Sequence, residues 1–271
     1  MSAAAASAAG YTLAAGDVRA EVVVTDTAGL DAGTAQVTVS GGSMPAYFAR
    51  PQGVENPPVI LVAMEIFGLH EYIRDVTRRL AKLGALAVAP DLYFRAGQDL
   101  TKMTDFAQLM PIVNAKPDAE LIADLDASAS WARSQGANTD RMGIIGFCRG
   151  GRAVWEYCAT SSQVKAGVAF YGSLSDPEGQ KGIWPKSPLE LPGSMKAPVL
   201  GLYGEADQGI PVPQVEEMKA KLQAAGKTAE FHIYPGAPHG FHADYRPSYR
   251  KDAADDAWAR ATAWFKTHGV L

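Results

Sequence analysis

The chain alternates between runs that are apolar at every position and stretches that are apolar on one side only. Val59 to Met64 is continuously apolar, the pattern of a strand covered on both faces. Tyr72 to Leu83 repeats its apolar residues at helical spacing and is stopped by Gly84. Ala85 to Ala89 gives a further buried strand closed by Pro90-Asp91, and Pro117 to Gln135 a further helix ended by Gly136. Then come strand Met142 to Phe147, helix Gly150 to Ala159 and strand Ala166 to Tyr171. Strand Pro198 to Tyr203, helix Pro213 to Ala225, strand Glu230 to Tyr234 and a helix from Tyr249 to Lys266 complete the series. Upstream, Gln36 to Ser40 alternates, Gly41-Gly42 turns, and Met44 to Ala49 runs back.

Repeated strand–helix–strand units predict an α/β fold. A mostly parallel central sheet carries helices on both faces, and a short N-terminal antiparallel hairpin precedes it. With no internal repeat or linker, residues 31–271 are expected to form one domain. The connections Leu92 to Lys116 and Ser173 to Lys196 are longer than usual and are expected to act as lids or pocket walls. Residues 1–30 read as a tail. Ala3 to Ala9 is low in complexity, and Val18-Arg19-Ala20 resembles a cleavage site, but the basic and apolar parts of an export signal are missing. The expectation is a cytoplasmic chain; a shortened export signal and a periplasmic parent are the alternative.

Composition narrows the function. Apolar residues make up 47% and charged residues 20%, with a net charge of −4, so no basic surface points to nucleic acid or an anionic membrane. A small-molecule substrate is the expected partner, for a monomer or homodimer. No apolar run reaches the ~18 residues of a spanning helix. The only cysteines are Cys148 and Cys158. On one helix they would stand ~15 Å apart, too far for a disulfide.

Gly146-Phe147-Cys148-Arg149-Gly150 sits between an apolar strand and a helix. Glycines two residues either side of a potential nucleophile are what a tight strand-to-helix turn requires. Such a turn would put the sulfur at a helix N-terminus, where a thiolate is favoured, and would aim the Arg149 N–H at an oxyanion. The plainer alternative is a small buried cysteine, and that reading suits Cys158.

A thiol nucleophile needs a base, and the base needs an orienting acid. Of five histidines, His70 precedes the turn, His232 lies in a strand and His268 near the end. His239 and His242 share the loop Pro235 to His242 after the last strand, and His239, between Pro238 and Gly240, is the better base. The pair could also suggest a metal with Asp244, but no third clear ligand cluster supports it, so no metal is expected. The acid should end the preceding strand: Asp207 closes Pro198 to Asp207 in a Gly-rich loop, with Glu205 as nearest rival.

Glu65 is a lone charge closing an apolar strand. Burial should raise its pKa and let it exchange a proton with a thiol. The N–H of Ile66 is placed to be a second oxyanion donor. The alternative is a structural Glu paired with an arginine.

Five ordered motifs resemble the dienelactone hydrolase (carboxymethylenebutenolidase) family of the α/β-hydrolase superfamily. They are Met64-Glu65-Ile66-Phe67-Gly68, Ala89-Pro90-Asp91-Leu92-Tyr93 with Arg95, Gly146-Phe147-Cys148 with Gly150-Gly151, Tyr203-Gly204 with Asp207, and Pro238-His239-Gly240-Phe241. The resemblance implies an α/β-hydrolase fold and cleavage of ester or lactone bonds through a thioester acyl-enzyme. It implies a triad of Cys148, Asp207 and His239, with Glu65 helping to form the thiolate and the Ile66 and Arg149 N–H groups as oxyanion hole. It implies substrate binding by Arg95, with Tyr93, Phe67, Phe241 and Arg246 as further candidates. The family's second carboxylate-binding arginine falls on Ala243, and Arg149 stands where an apolar residue is expected.

Rival readings keep the cysteine. One is a broad esterase or phosphotriesterase acting on neutral activated esters. Another is a DJ-1-like or amidotransferase-like cysteine protein, and a third a non-catalytic binding protein. No cofactor is expected. Gly226-Lys227-Thr228 resembles a P-loop ending, but position 221 is Lys where the first Gly is required, and no Gly-x-Gly-x-x-Gly follows a strand.

Overall fold

Eight strands form one sheet in the order β1-β2-β4-β3-β5-β6-β7-β8 in a computed structural model that describes residues 22–177, 180 and 182–271. The first 21 residues of the expected tail lie outside the described residues. The hairpin is longer than its alternation suggests: β1 (Leu30–Val39) pairs antiparallel with β2 (Gly42–Pro51), from Val39 opposite Gly42 to Leu30 opposite Pro51. β2 runs antiparallel to β4 (Leu86–Pro90). All further pairings are parallel, through β3 (Pro58–Ala63), β5 (Asn138–Phe147), β6 (Val164–Phe170), β7 (Val199–Gly204) and β8 (Ala229–Tyr234). Every residue of β3, β4 and β7 is buried, as their unbroken apolar runs require.

Helices cover the sheet. They are α1 (Glu71–Lys82), α2 (Phe106–Ala115), α3 (Asp118–Ser134), α4 (Arg149–Thr160), α5 (Val212–Ala224) and α6 (Lys251–Thr267). α1 packs on β2 and β4, α4 on β5 and β6, and α6 on β6 and β7. Close approach of α4 depends on Gly167, where an added Cβ would stand 2.6 Å from the Cys158 sulfur. Cys158 is thus core packing, and burial pushes its thiol up, away from reactivity.

The two long connections are more structured than expected. Residues 92–116 hold α2, capped by the Asp105 carboxylate accepting from the Ala107 N–H at 2.8 Å. Pro111 inside α2 hides this helix from a periodicity reading. The second connection turns in short 3-10 pieces at Pro188–Glu190 and Pro192–Ser194. Trp184 ties the two together, its indole N–H donating to the Lys116 carbonyl at 2.8 Å. Residues 22–29 lie along α1, where the Thr25 N–H donates to Asp75 at 2.5 Å and Arg78 to the Thr25 carbonyl at 2.6 Å. Among the described residues no helix is long and apolar enough to cross a membrane.

Candidate active site

β5 ends in a sharp turn at Cys148, which adopts φ 56° and ψ −117°. A side chain other than glycine in this region is strained, so surrounding structure must hold it there. It does. The Cys148 N–H donates to the Phe170 carbonyl at 3.0 Å, and its own carbonyl accepts from Gly151 at 2.9 Å and Arg152 at 3.2 Å. The flanking glycines are steric necessities: a Cβ on Gly146 would fall 2.1 Å from the Gly150 oxygen, and one on Gly150 2.0 Å from the Ala63 oxygen. Cys148 caps α4, with only 1% of its surface exposed. The N–H of Arg149 opens that helix and belongs to the first turn, which has no intrahelical acceptor. Ile66, equally buried, follows the end of β3.

The loops after β7 and β8 meet because Gly204 lets them. A Cβ there would stand 2.2 Å from the Ala237 oxygen. The Ala206 N–H donates to that same oxygen at 3.0 Å, and the Glu205 N–H to the Tyr234 carbonyl at 3.0 Å. Asp207 and His239 are thereby brought together, with Nδ1 of the imidazole 2.7 Å from Asp207 Oδ2. The other carboxylate oxygen accepts from the N–H groups of Gly209 at 2.8 Å and Ile210 at 3.2 Å, which fixes its orientation. Glu205, the rival acid, instead caps the adjoining turn through the Gly236 N–H at 2.9 Å.

Burial opposes a charge on His239, but the charges of Asp207 and Cys148, with a hydrogen bond to each, raise its pKa to about 10. The Tyr171 ring meets the imidazole edge-on at 5.0 Å and walls it in. Tyr171 is itself strained, at φ 37°. His242 is a different case. Burial, then the charge of Arg79, lower its pKa to about 3, and it pairs through Nδ1 with the Tyr72 hydroxyl at 2.7 Å. Asp244 faces Arg79 at 2.8 Å. Among the described residues no three His, Cys, Asp or Glu side chains gather as for a metal ion.

Glu65 is fully buried, yet the expected rise in its pKa is reversed. Desolvation does push it up, but Arg246, His70 and Tyr245 together bring it down to about 2. Arg246 Nη2 lies 3.0 Å from Oε1, close but off the hydrogen-bonding direction, while the Tyr245 hydroxyl donates to Oε2 at 2.8 Å and His70 Nε2 stands 3.2 Å from it. Glu65 is therefore held ionised, which corrects the sequence-based expectation that burial raises its pKa. Arg246 also lies over the Phe67 ring at 4.7 Å and receives part of its electrostatic support from Cys148.

The remaining candidates divide. Tyr93 is buried, and its phenol is pushed up to about 12 by desolvation, with Arg149 pulling it down and Cys148 pushing it up, so it feels both. Phe241 is buried behind Tyr171, ring to ring at 5.5 Å. Arg95 is engaged elsewhere: Nη1 and Nη2 meet the Asp124 carboxylate at 2.7 and 2.9 Å, and Nη2 also donates to the Ser40 carbonyl at 2.7 Å in the hairpin turn. His70, Tyr245 and Tyr171 escape a sequence reading. Nothing local announces a partner for Glu65.

Comparison with known proteins gives the family and the fold. The model of the dienelactone hydrolase family matches residues 44–269. A Methylorubrum extorquens protein provisionally named a carboxymethylenebutenolidase is 49% identical over 264 residues, covering 96% of this chain and 90% of its own. A counterpart from Escherichia coli K12 is 46% identical, with 96% of each chain covered. The crystal structure of a provisionally named dienelactone hydrolase from Klebsiella pneumoniae superposes with a TM-score of 0.84 at 46% identity, covering 88% of this chain and 98% of that one. A dienelactone hydrolase-like promiscuous phosphotriesterase from metagenomic libraries shares the fold, with a TM-score of 0.73 at 21% identity over 89% of this chain and 99% of its own.

Proposed function

The chain belongs to the dienelactone hydrolase family, and from that premise we propose that it cleaves esters or lactones with Cys148 as nucleophile, His239 as base and Asp207 as orienter. The supporting observation is one connected line. Asp207 holds His239 at 2.7 Å, and the charge of the strained Cys148 acts on the same imidazole, raising its pKa together with that of Asp207.

His239 takes the thiol proton, and the thiolate attacks the carbonyl carbon to form a C–S bond. The carbonyl electron pair moves to oxygen and is received by the N–H groups of Ile66 and Arg149. Collapse of this intermediate breaks the ester C–O bond, and the protonated His239 gives its proton to the departing alkoxide. In a lactone the leaving oxygen stays tethered to the acyl chain. Water then loses a proton to His239 and attacks the thioester; the C–S bond breaks, the carboxylic acid leaves, and the thiolate recovers the proton. Asp207 fixes the tautomer and steadies the imidazolium. Glu65, held ionised, positions Arg246, whose positive charge favours the thiolate.

The test is hydrolysis of p-nitrophenyl acetate and a cis-dienelactone by wild type and Cys148→Ala. Both activities should vanish in the variant. An active Cys148→Ala enzyme would rule the reading out.

A further inference from the structure

A cavity of about 410 Å³ opens between the N-terminal hairpin, the start of α1 and the loop after β4. That is within the range of small-ligand pockets, roughly 300–1,000 Å³. Neither Cys148, Asp207, His239, Glu65 nor Arg246 lines it. It meets the candidate active site at one residue, His70, which lines the cavity and whose Nε2 stands 3.2 Å from Glu65. Its wall is closely fitted: an added Cβ on Gly68 would stand 3.3 Å from the side chains of both Leu100 and Thr101.

Three carboxylates and one guanidinium line the cavity, and their partners decide what it can hold. Glu71 is bound by Arg78 at 2.5 Å, while Asp99 accepts from the Thr101 hydroxyl at 2.6 Å and faces Lys102 at 3.1 Å. Asp91 is less occupied. Its Oδ1 accepts the Tyr93 N–H at 3.2 Å, and its Oδ2 has no hydrogen-bond partner among the described residues. Arg74 donates through Nε to the Leu69 carbonyl at 3.0 Å and lies on the Tyr47 ring at 5.5 Å. Both of its Nη groups are left without an acceptor among the described residues. The two open groups are held from the same strand, since the Asp91 N–H donates to the Pro45 carbonyl at 2.8 Å and Pro45 lies two residues from Tyr47, about 7 Å along β2. Burial pushes the Asp91 carboxyl up against the pull of the Tyr93 N–H, and the charge of Asp99 pushes it the same way, so a cation placed there relieves both.

We propose that this cavity binds a small zwitterion of the amino acid class, its carboxylate on the Nη groups of Arg74, its ammonium on Asp91 and its apolar part against Leu69 and Leu100. A single ion would satisfy one open group and leave the other as it was, whereas a dipolar molecule answers both. The buried Leu69 and Leu100 side chains add apolar wall to the same space, which favours an amino acid with an apolar side chain. The site is separate from the ester-cleaving one and does not rest on Cys148 being the nucleophile.

The experiment is calorimetric titration with L-phenylalanine, beside 3-phenylpropionate, which lacks the ammonium, and phenethylamine, which lacks the carboxylate. Wild type should bind the amino acid about tenfold or more tighter than either, because each analogue loses one charge-assisted contact. Arg74→Gln should abolish the preference over phenethylamine, and Asp91→Asn the preference over phenylpropionate. Asp91→Asn is isosteric and keeps an acceptor for the Tyr93 N–H, so it carries the test should Arg74→Gln not fold. No binding by wild type at millimolar concentration, equal affinity for the three compounds, or a preference that survives in a folded variant would overturn the site. So would phenylalanine that raises the KM for p-nitrophenyl acetate in proportion to its concentration, since it would then occupy the place of the ester. Binding that persists unchanged in Cys148→Ala is expected whether or not that variant hydrolyses esters, which keeps this result apart from the test of the nucleophile.

Discussion

Arg246 Nη2 stands 3.0 Å from Glu65 Oε1, and both side chains are shut away from solvent, at 2% and 0% exposure. A carboxylate alone at the end of an apolar strand would hold its proton; beside a guanidinium that cannot lose its charge, it gives the proton up. The pair is the electrostatic floor of the site, linked to Tyr245 through the Arg246 Nε at 2.8 Å.

Glu65→Gln should therefore destabilise the protein strongly at neutral pH, by about 3 kcal/mol, because it leaves a buried guanidinium without its counter-charge. The folded-state pKa of Glu65, about 2, lies below its ordinary 4.5, so its contribution is full above pH 4.5 and is lost as pH falls toward 2. Urea unfolding across this range should show the difference between wild type and variant narrowing toward the acid end. A constant difference would mean that Glu65 acts through packing alone.

Asp207→Asn should lower the pKa of His239 from about 10, since the carboxylate is the strongest influence opposing burial there. A raised histidine pKa stabilises the fold fully below about 6.5 and loses that contribution as pH rises through about 10. NMR titration of the imidazole should show the midpoint moving down in the variant. Ester hydrolysis should fall on the order of a thousandfold or more. An unchanged midpoint would dissociate His239 from Asp207.

Gly146→Ala puts a methyl group 2.1 Å from the Gly150 oxygen, a rigid neighbour on the opposite side of the turn. The substitution should cost on the order of 3 kcal/mol and disable hydrolysis, because the backbone that strains Cys148 must shift. A thermal melt together with an ester assay checks both. Normal values for the two would mean that the turn is looser than its packing implies.

Arg95→Gln should lower the melting temperature, as it leaves the buried Asp124 with Lys116 alone among its close cations. It should leave the KM for a carboxylate-bearing ester within about twofold of wild type. A large rise in KM would return Arg95 to the role its motif suggests.

What the sequence disclosed follows a physical rule. Strands β3, β4 and β7 were legible because residues buried on both faces leave an unbroken apolar run, and Cys148 because its turn admits only glycine at 146 and 150. Asp207 and His239 were legible as the acid and histidine in loops following strands. Partnerships across the fold were not. Glu65 announced itself as a charge in an apolar segment, but the hydroxyl that binds it lies 180 positions later, so the sign of its pKa shift could not be read locally. Arg95 matched a motif and turned instead to Asp124, a helix residue that no local pattern ties to it. The α2 helix was hidden by Pro111.

The central claim is that Cys148 carries the acyl group between the two halves of the reaction. Acid quenching during p-nitrophenyl acetate turnover, followed by mass spectrometry of the intact chain and its peptides, tests it directly. The expected result is one added acetyl group, on the peptide containing Cys148 and absent from Cys148→Ala. Steady hydrolysis by wild type with the acetyl on another residue would contradict the account.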